Sequence, residues 1–129
     1  LLLVDAPRHT LRIANAGQCE PLAVGRSGGV IALEGHGPAL GLMPSVDFRE
    51  AGPLGLPVGV TVLAMTDGVL EARDRAGHMF GRAGASQALA DSRSEGPRGV
   101  VRSVLTAVKA HAGLPFRDVA TALAFRFDR

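Results

Sequence analysis

The run from residue 58 to 66 reads Val-Gly-Val-Thr-Val-Leu-Ala-Met-Thr and ends at Asp67-Gly68. It is apolar and β-branched, with apolar residues at both odd and even positions, so a strand formed from it must be covered on both faces. The sequence therefore predicts a central strand of a sheet. The strand ends in a turn that carries a carboxylate.

Several shorter strands are predicted before this run. Alternation at 10–14 places Leu11 and Ile13 on one face of a half-buried strand, and two apolar runs flank the glycine-rich loop 25–29 as a hairpin. The segments rich in Gly and Pro predict loops at 35–44 and 51–57. The predicted strands are 1–4, taken as buried, 10–14, 21–24, 30–33 and 46–50.

Helices are predicted only after the central run. Residues 97–112 carry an apolar stripe, with Pro97 at the first helical position and Gly113 at the end. A helical turn is predicted within 69–74 and a short helix at 85–91. Residues 118–127 predict a last strand with a face of large side chains and a face of alanines. Strands and helices are thus segregated, which predicts an α+β fold of antiparallel sheets with flanking helices.

Composition excludes several classes of function. The length of 129 residues fits one domain, and 14 basic against 12 acidic residues give a net charge of only +2. The chain has no Trp or Tyr to stack on bases, so we expect no nucleic-acid partner. No apolar run approaches a membrane span, and the single cysteine fits a reducing, cytoplasmic compartment. The strand-like opening without Met predicts that the chain begins inside a larger domain.

Common catalytic and cofactor motifs are not evident. The four histidines match no metal-ligand spacing, and Cys19 has no identifiable activating base. We therefore interpret Cys19 as a packing residue. The glycine-rich segments 35–38 and 81–84 match neither nucleotide-binding fingerprint and are interpreted as turns. The histidines, interpreted as surface or loop residues, are His9, His36, His78 and His111.

Three carboxylates are candidate residues of a functional site. Asp67 stands where the central strand ends, Glu71 follows four residues later, and Asp118 begins the last strand. If those two strands are neighbours, Asp67 and Asp118 converge at one edge of the sheet, where hard cations such as Mg²⁺ or Mn²⁺ prefer oxygen ligands. Two carboxylates alone are too few ligands for a complete metal site, so further ligands would have to come from elsewhere. The alternative is an ordinary Asp-Gly turn and a solvated residue at the start of a strand.

Five further segments follow one another over nearly the whole chain. They are LRIANAGQCEPL (11–22), ALGL (39–42), LAMTDGVLEAR (63–73), MFG (79–81) and RDVA (117–120). In this order they resemble motifs of the SpoIIE/RsbU-like branch of the metal-dependent protein phosphatases (the PPM, or protein phosphatase 2C, superfamily). The segment containing Thr66-Asp67-Gly68-Val69 is the most specific of them.

The resemblance implies that residues 1–129 are the C-terminal portion of a PPM-type β-sandwich whose earlier motifs, with further metal-binding aspartates, have no counterpart here. It implies a two-metal site for Mn²⁺ or Mg²⁺, with Asp67 and Asp118 as candidate metal ligands and no protein nucleophile. A metal-activated water would then hydrolyse phosphoserine or phosphothreonine. Two departures from the motifs are Gln18 in place of His and Arg117 in place of the usual ligand Asp, since a guanidinium binds no cation.

The implied substrate is a phosphorylated anti-sigma-factor antagonist in bacterial partner-switching signalling. Arg117 motivates the alternative of a degenerate phosphatase domain that binds proteins. An unrelated α+β binding domain is a third interpretation. A sheet cut midway would expose edge strands and an apolar face, so a homodimer, or pairing with the missing half, is expected.

Overall fold

The computed structural model describes residues 1–35, 37–113 and 119–128. In this part of the chain, seven strands and three helices follow one another, with the helices between the sixth and seventh strands. The strands are β1 Leu2–Asp5, β2 Thr10–Ala14, β3 Leu22–Val24, β4 Val30–Ala32, β5 Glu50–Gly55, β6 Thr61–Met65 and β7 Ala122–Arg126. The helices are α1 Asp67–Leu70, α2 Gly81–Asp91 and α3 Gly96–Ala112.

The strands form two antiparallel sheets. One has the order β1-β2-β5 and the other the order β4-β3-β6-β7. Helices α2 and α3 pack together and lie on the four-stranded sheet, α3 against β7 and β6 and α2 against β3 and β4. The result is three layers of helices, sheet and sheet, which confirms the predicted α+β fold.

Two hydrophobic cores lie on either side of the four-stranded sheet. The core between the sheets contains Leu11, Ile13 and Val62, each at most 1% exposed. The core beneath the helices contains Leu63 together with the buried stripe of α3, whose members are Val100, Val104 and Val108. Adjacent residues of β6 therefore enter different cores, as its two-sided apolar sequence predicted. The alanine face of β7 packs toward the helices.

Several predicted elements need correction. Strand β5 occupies 50–55, where a loop was predicted, because pairing with β2 overrides the unfavourable Gly and Pro residues there. The predicted strand at 46–50 was wrong except for Glu50. Strand β1 is not buried, since it pairs only with β2 and leaves Leu3 57% exposed. Residues 81–84 form the first turn of α2 and not a separate turn. In the described part of the chain, β7 begins at Ala122.

Candidate functional site at one end of the four-stranded sheet

The end of β6 places Asp67 at the rim of the four-stranded sheet. Strands β6 and β7 are antiparallel neighbours, with Met65 opposite Ala122, so the end of β6 and the start of β7 meet at one edge. Asp67 is exposed there and opens α1, and its Oδ1 accepts a hydrogen bond from the Gly68 amide at 2.9 Å. The two strands are neighbours, which was the condition for Asp67 and Asp118 to converge. Asp118, like Arg117, lies outside the described residues.

The backbone around Asp67 is tied directly to the segment before β7. The Thr66 hydroxyl accepts a hydrogen bond from the Thr121 amide at 3.0 Å, and the Thr66 amide donates to the Thr121 carbonyl, also at 3.0 Å. A Cβ placed on Gly68 would lie 2.5 Å from the Val119 carbonyl oxygen. Only glycine permits this approach, so the most specific motif fixes the position of the Asp67 carboxylate against the chain that follows position 118.

A second motif segment closes a loop nearby. The buried Asn15 side chain accepts from the Gln18 amide and donates to the Gln18 carbonyl, both at 2.8 Å. Gly17 has a φ of +84°, and a Cβ there would lie 2.8 Å from Ala39. Segment 11–22 is thereby packed against segment 39–42. The Asn-Ala-Gly sequence therefore has a structural role, because it closes this loop and lets it pack against Ala39. Gln18 is part of the loop that the Asn15 side chain closes.

The pKa of the Cys19 thiol responds to the negative charges at this end of the sheet. Burial raises the pKa of its thiol, and the negative charges of Asp67 and Glu71 raise it further. Both carboxylates therefore lie near Cys19. A thiol with a raised pKa is a poor nucleophile at neutral pH, which supports the interpretation of Cys19 as a packing residue. We call this region, with Asp67, Glu71 and Glu20, the carboxylate end.

One cation is part of the carboxylate end. Arg82, in the first turn of α2, forms an ion pair with Glu20 at 2.6 Å, and the Glu20 side chain is only 12% exposed. The pair links α2 to the loop before β3. It also holds Glu20 in a fixed place beside Cys19, so this carboxylate is engaged within the protein.

The chain after α1 folds into a compact loop organised by Asp74. Its Oδ1 accepts hydrogen bonds from the amides of Ala76 and His78 at 2.9 and 2.8 Å, and its Oδ2 lies 3.2 Å from His78 Nδ1. The backbone hydrogen bond from His78 is the main reason that the pKa of Asp74 is lowered. The loop returns the chain to Phe80, whose amide donates to Ala72.

An apolar cleft opens between the sheets beside the carboxylate end. Its walls include Leu2 and Ile13 from one sheet and Ala64 and Leu123 from the other, and Thr66 lies at its rim. The cavity measures about 260 Å³, and Leu123 is 57% exposed. The inter-sheet core is thus open at this end of the sandwich.

The described residues do not form a metal site by themselves. Across 1–35, 37–113 and 119–128, no group of three or more His, Cys, Asp or Glu side chains is arranged to hold a metal ion. Of the two predicted ligands, Asp67 lies at the edge of the sheet where β6 ends, and Asp118 lies outside the described residues. His9 and His78 lie on loops as predicted, whereas His111 lies in the last turn of α3. His9 stacks on Phe127, His78 is exposed, and His111 is half-buried, while His36 lies outside the described residues.

The family of the chain is shown by comparison with known proteins. The SpoIIE family model, described as Stage II sporulation protein E, matches residues 1–128. The chain belongs to this family. Among curated proteins no sequence matches.

Solved structures agree on the fold. The SiaA-PP2C domain of Pseudomonas aeruginosa is 30% identical with a TM-score of 0.82, over 98% of this chain and 50% of that one. The phosphatase domain of the cell fate determinant SpoIIE from Bacillus subtilis (Mn presoaked) is 14% identical with a TM-score of 0.78, over 99% and 55%. The RsbU and RsbW domains of Rv1364c from Mycobacterium tuberculosis are 22% identical with a TM-score of 0.72, over 97% and 35%. The chain thus has the fold of a PP2C-type phosphatase domain but spans about half the length of the SiaA and SpoIIE domains.

Within the described ranges, no helix combines the length and the apolar character needed to cross a bilayer.

Proposed function

We propose that this chain supplies part of the active site of a metal-dependent serine/threonine protein phosphatase. The observation that carries the proposal is the position of Asp67, an exposed carboxylate at the end of the buried strand β6 and beside the start of β7. Membership of the SpoIIE family and the PP2C-type fold support it.

Asp67 and Asp118 are the residues proposed to hold a cation. A carboxylate at the end of a strand has the oxygen chemistry that Mn²⁺ or Mg²⁺ requires. Within the described residues Asp67 has no partners for a complete site, so further carboxylates must come from other parts of the protein. When bound, such a pair of cations activates water and neutralises phosphate charge. The contribution of this chain is to fix the Asp67 carboxylate through Gly68 and the Thr66–Thr121 hydrogen bonds.

The domain organisation follows the same reasoning. We propose that residues 1–129 are the C-terminal portion of a PPM-type phosphatase domain. The open apolar cleft beside Asp67 supports this, because an inter-sheet core is normally closed to water. The cleft is closed either by the rest of the domain or by a second copy of this chain. Light scattering of the isolated chain tests self-association, and a monodisperse monomer would argue against the dimer.

The proposed substrate is a phosphoserine or phosphothreonine on a bacterial signalling protein, of the anti-sigma-factor-antagonist type. The structural likeness to a protein that combines RsbU and RsbW domains supports a role in partner switching. A cytoplasmic location stays a prediction from the single cysteine.

A second candidate is a degenerate phosphatase domain that binds proteins. Arg117 favours it, because it stands where the family motif has a ligand aspartate and cannot bind a cation. In this alternative the fold is retained and the protein binds its partner without hydrolysing it.

Manganese titration and hydrolysis of p-nitrophenyl phosphate separate the two candidates. Both are measured on the complete protein that contains this chain, together with Asp67→Asn and the control Asp91→Asn, an exposed carboxylate at the end of α2. The phosphatase proposal predicts Mn²⁺-dependent hydrolysis, lost in Asp67→Asn and kept in Asp91→Asn. Equal rates in the two variants would remove Asp67 from the site. Absence of Mn²⁺ binding in the unmodified protein would favour the degenerate domain.

A further inference from the structure

Three arginines from distant parts of the sequence meet at the other end of the four-stranded sheet. Arg26 lies in the loop between β3 and β4, Arg93 between α2 and α3, and Arg126 at the end of β7. They line one surface depression of about 810 Å³. Its lining residues are Arg26, Val58, Gly59, Arg93, Ser94, Arg126 and Asp128. We call the three arginines and this depression the arginine end.

The arginine end is separate from the carboxylate end. In the sheet register Arg126 lies opposite Thr61, the first residue of β6, whereas Asp67 follows the last residue of the same strand. The length of β6 alone, roughly 13 Å at the usual rise per residue, separates the two ends. The arginines are therefore not part of the proposed metal site.

Two of the guanidinium groups are held in place by hydrogen bonds. Arg93 donates from Nη1 to the Ala90 carbonyl at 2.8 Å and from Nε to the Arg26 carbonyl at 3.3 Å. Arg126 donates from Nε to Asp128 Oδ1 at 2.8 Å, and its side chain is 24% exposed. These bonds leave the remaining nitrogens of both groups without partners within the described residues.

Each guanidinium also packs over a glycine whose φ is positive. A Cβ on Gly59, where φ is +88°, would lie 3.1 Å from Arg26 Nε. A Cβ on Gly28, where φ is +86°, would lie 3.4 Å from Arg93 Nε. Glycine provides the space that the planar groups occupy. The third such pair is Arg126 with Gly96, at 3.8 Å.

The charges at this end do not balance. Asp128 pairs with Arg126, while Arg26 and Arg93 make no ion pair with any carboxylate in the described ranges. The nearby Glu95 carboxylate accepts a hydrogen bond from Ser103 on α3. Among the residues that line the depression, three arginines and one aspartate give an excess of two positive charges. The mutual repulsion of these positive charges is relieved when an anion lies between the groups.

We propose that the arginine end binds the dianion of a phosphate monoester. The charge of the dianion matches the excess of two, and the guanidinium fork suits phosphate oxygens in a bidentate arrangement. The first turn of α3, which begins at Gly96 beside Arg126 without a side-chain cap, adds favourable partial charge. The site does not depend on the proposed phosphatase function, because it includes neither Asp67 nor a metal.

Titration with phenyl phosphate in metal-free buffer, followed by the NMR signals of the arginine Nε–H groups, tests the proposal. Saturable shifts are expected for Arg26, Arg93 and Arg126 and not for the exposed Arg102 on α3. Binding should strengthen as the pH rises through about 6, where a phosphate monoester becomes a dianion. Non-saturable shifts, or equal shifts at Arg102, would overturn the proposal, and so would an equal response to benzoate at the same ionic strength.

Two matched substitutions sharpen the test. Arg26→Gln removes one charge from an exposed loop and should raise the dissociation constant about ten-fold, the usual loss for a charge-assisted hydrogen bond. Arg102→Gln removes the same charge elsewhere and should leave it unchanged. An unchanged amide spectrum for Arg26→Gln shows that the fold is intact. If both variants weaken binding equally, the effect is general electrostatic attraction and the specific site is refuted.

Discussion

Strand β6 joins two ends of the sheet that are built differently. At the carboxylate end, most groups come from the motif segments, and hydrogen bonds or ion pairs within the chain hold Thr66, Asn15 and Glu20. At the arginine end, Arg26 and Arg93 have no ion pair, and the Thr61 hydroxyl is buried without a hydrogen-bond partner in the described part of the chain. Hydrogen bonds and an ion pair within the chain hold the groups of the first end in place. The second end has excess positive charge that can bind an anionic ligand. Substitutions that change single groups test this contrast, and their expected effects range from several kcal/mol of stability to a small dependence on pH.

Substitution of Gly68 should have the largest effect. In Gly68→Ala the new methyl group meets the Val119 carbonyl at 2.5 Å, so the backbone must move and stability should fall by about 3 kcal/mol. Urea unfolding measures the change. The control is Gly29→Ala, where no atom lies within 4 Å of the new Cβ, and it should change stability little. Similar losses in both variants would show that Gly68 is not specially constrained.

Two threonines of the same strand region should respond with opposite signs. Thr66→Val loses the hydroxyl that accepts from Thr121 and should destabilise the protein by about 1 kcal/mol. Thr61→Val removes a buried hydroxyl without a partner and should stabilise it by about 1 kcal/mol. Thermal unfolding of both variants provides the comparison. A loss of stability in Thr61→Val would mean that the hydroxyl has a partner and that the two ends are alike in this respect.

Cys19 provides a probe of the charge at the carboxylate end. Because Asp67 helps to raise the pKa of the thiol, Asp67→Asn should lower that pKa and speed alkylation by iodoacetamide a few-fold at mildly alkaline pH. Asp91→Asn, which does not act on Cys19, is the control. If the pH profile of alkylation is the same in all three proteins, Asp67 does not lie near the thiol.

Acid sensitivity of the loop around Asp74 should give the smallest effect. The pKa of Asp74 is lowered from its ordinary value of 3.8, so its contribution to stability is present above that value and is lost as the pH falls through the lowered pKa. The stability difference between the unmodified protein and Asp74→Asn should therefore shrink as the solution is acidified below 3.8. Urea midpoints across that range measure it. A difference independent of pH would show that the carboxylate charge does not stabilise the loop.

The sequence predicted the elements whose pattern reflects their final surroundings. β6 is apolar on both faces because two cores cover it, and the stripe of α3 matches its single buried face. β5 was missed because Gly52, Pro53 and Gly55 disfavour a strand, and only pairing with β2 reveals it.

The two candidate sites differ in the same way. Asp67 could be found because it lies within a contiguous motif directly after β6. The arginine end could not, since its members are separated by up to 100 positions and share no spacing. The fold brings the three arginines to one depression, and no spacing or motif in the sequence indicates that they meet there.

The position of β6 as the wall shared by both cores has a consequence for local motion. Its backbone is paired on one side with β3 and on the other with β7, and its side chains are buried above and below. Amide hydrogens in such a strand exchange with solvent only when the whole domain opens. Asp67 directly follows this strand, and Arg126 lies on β7, which is paired with it, so we expect fraying of the outer strand β1 to leave the placement of Asp67 and Arg126 intact.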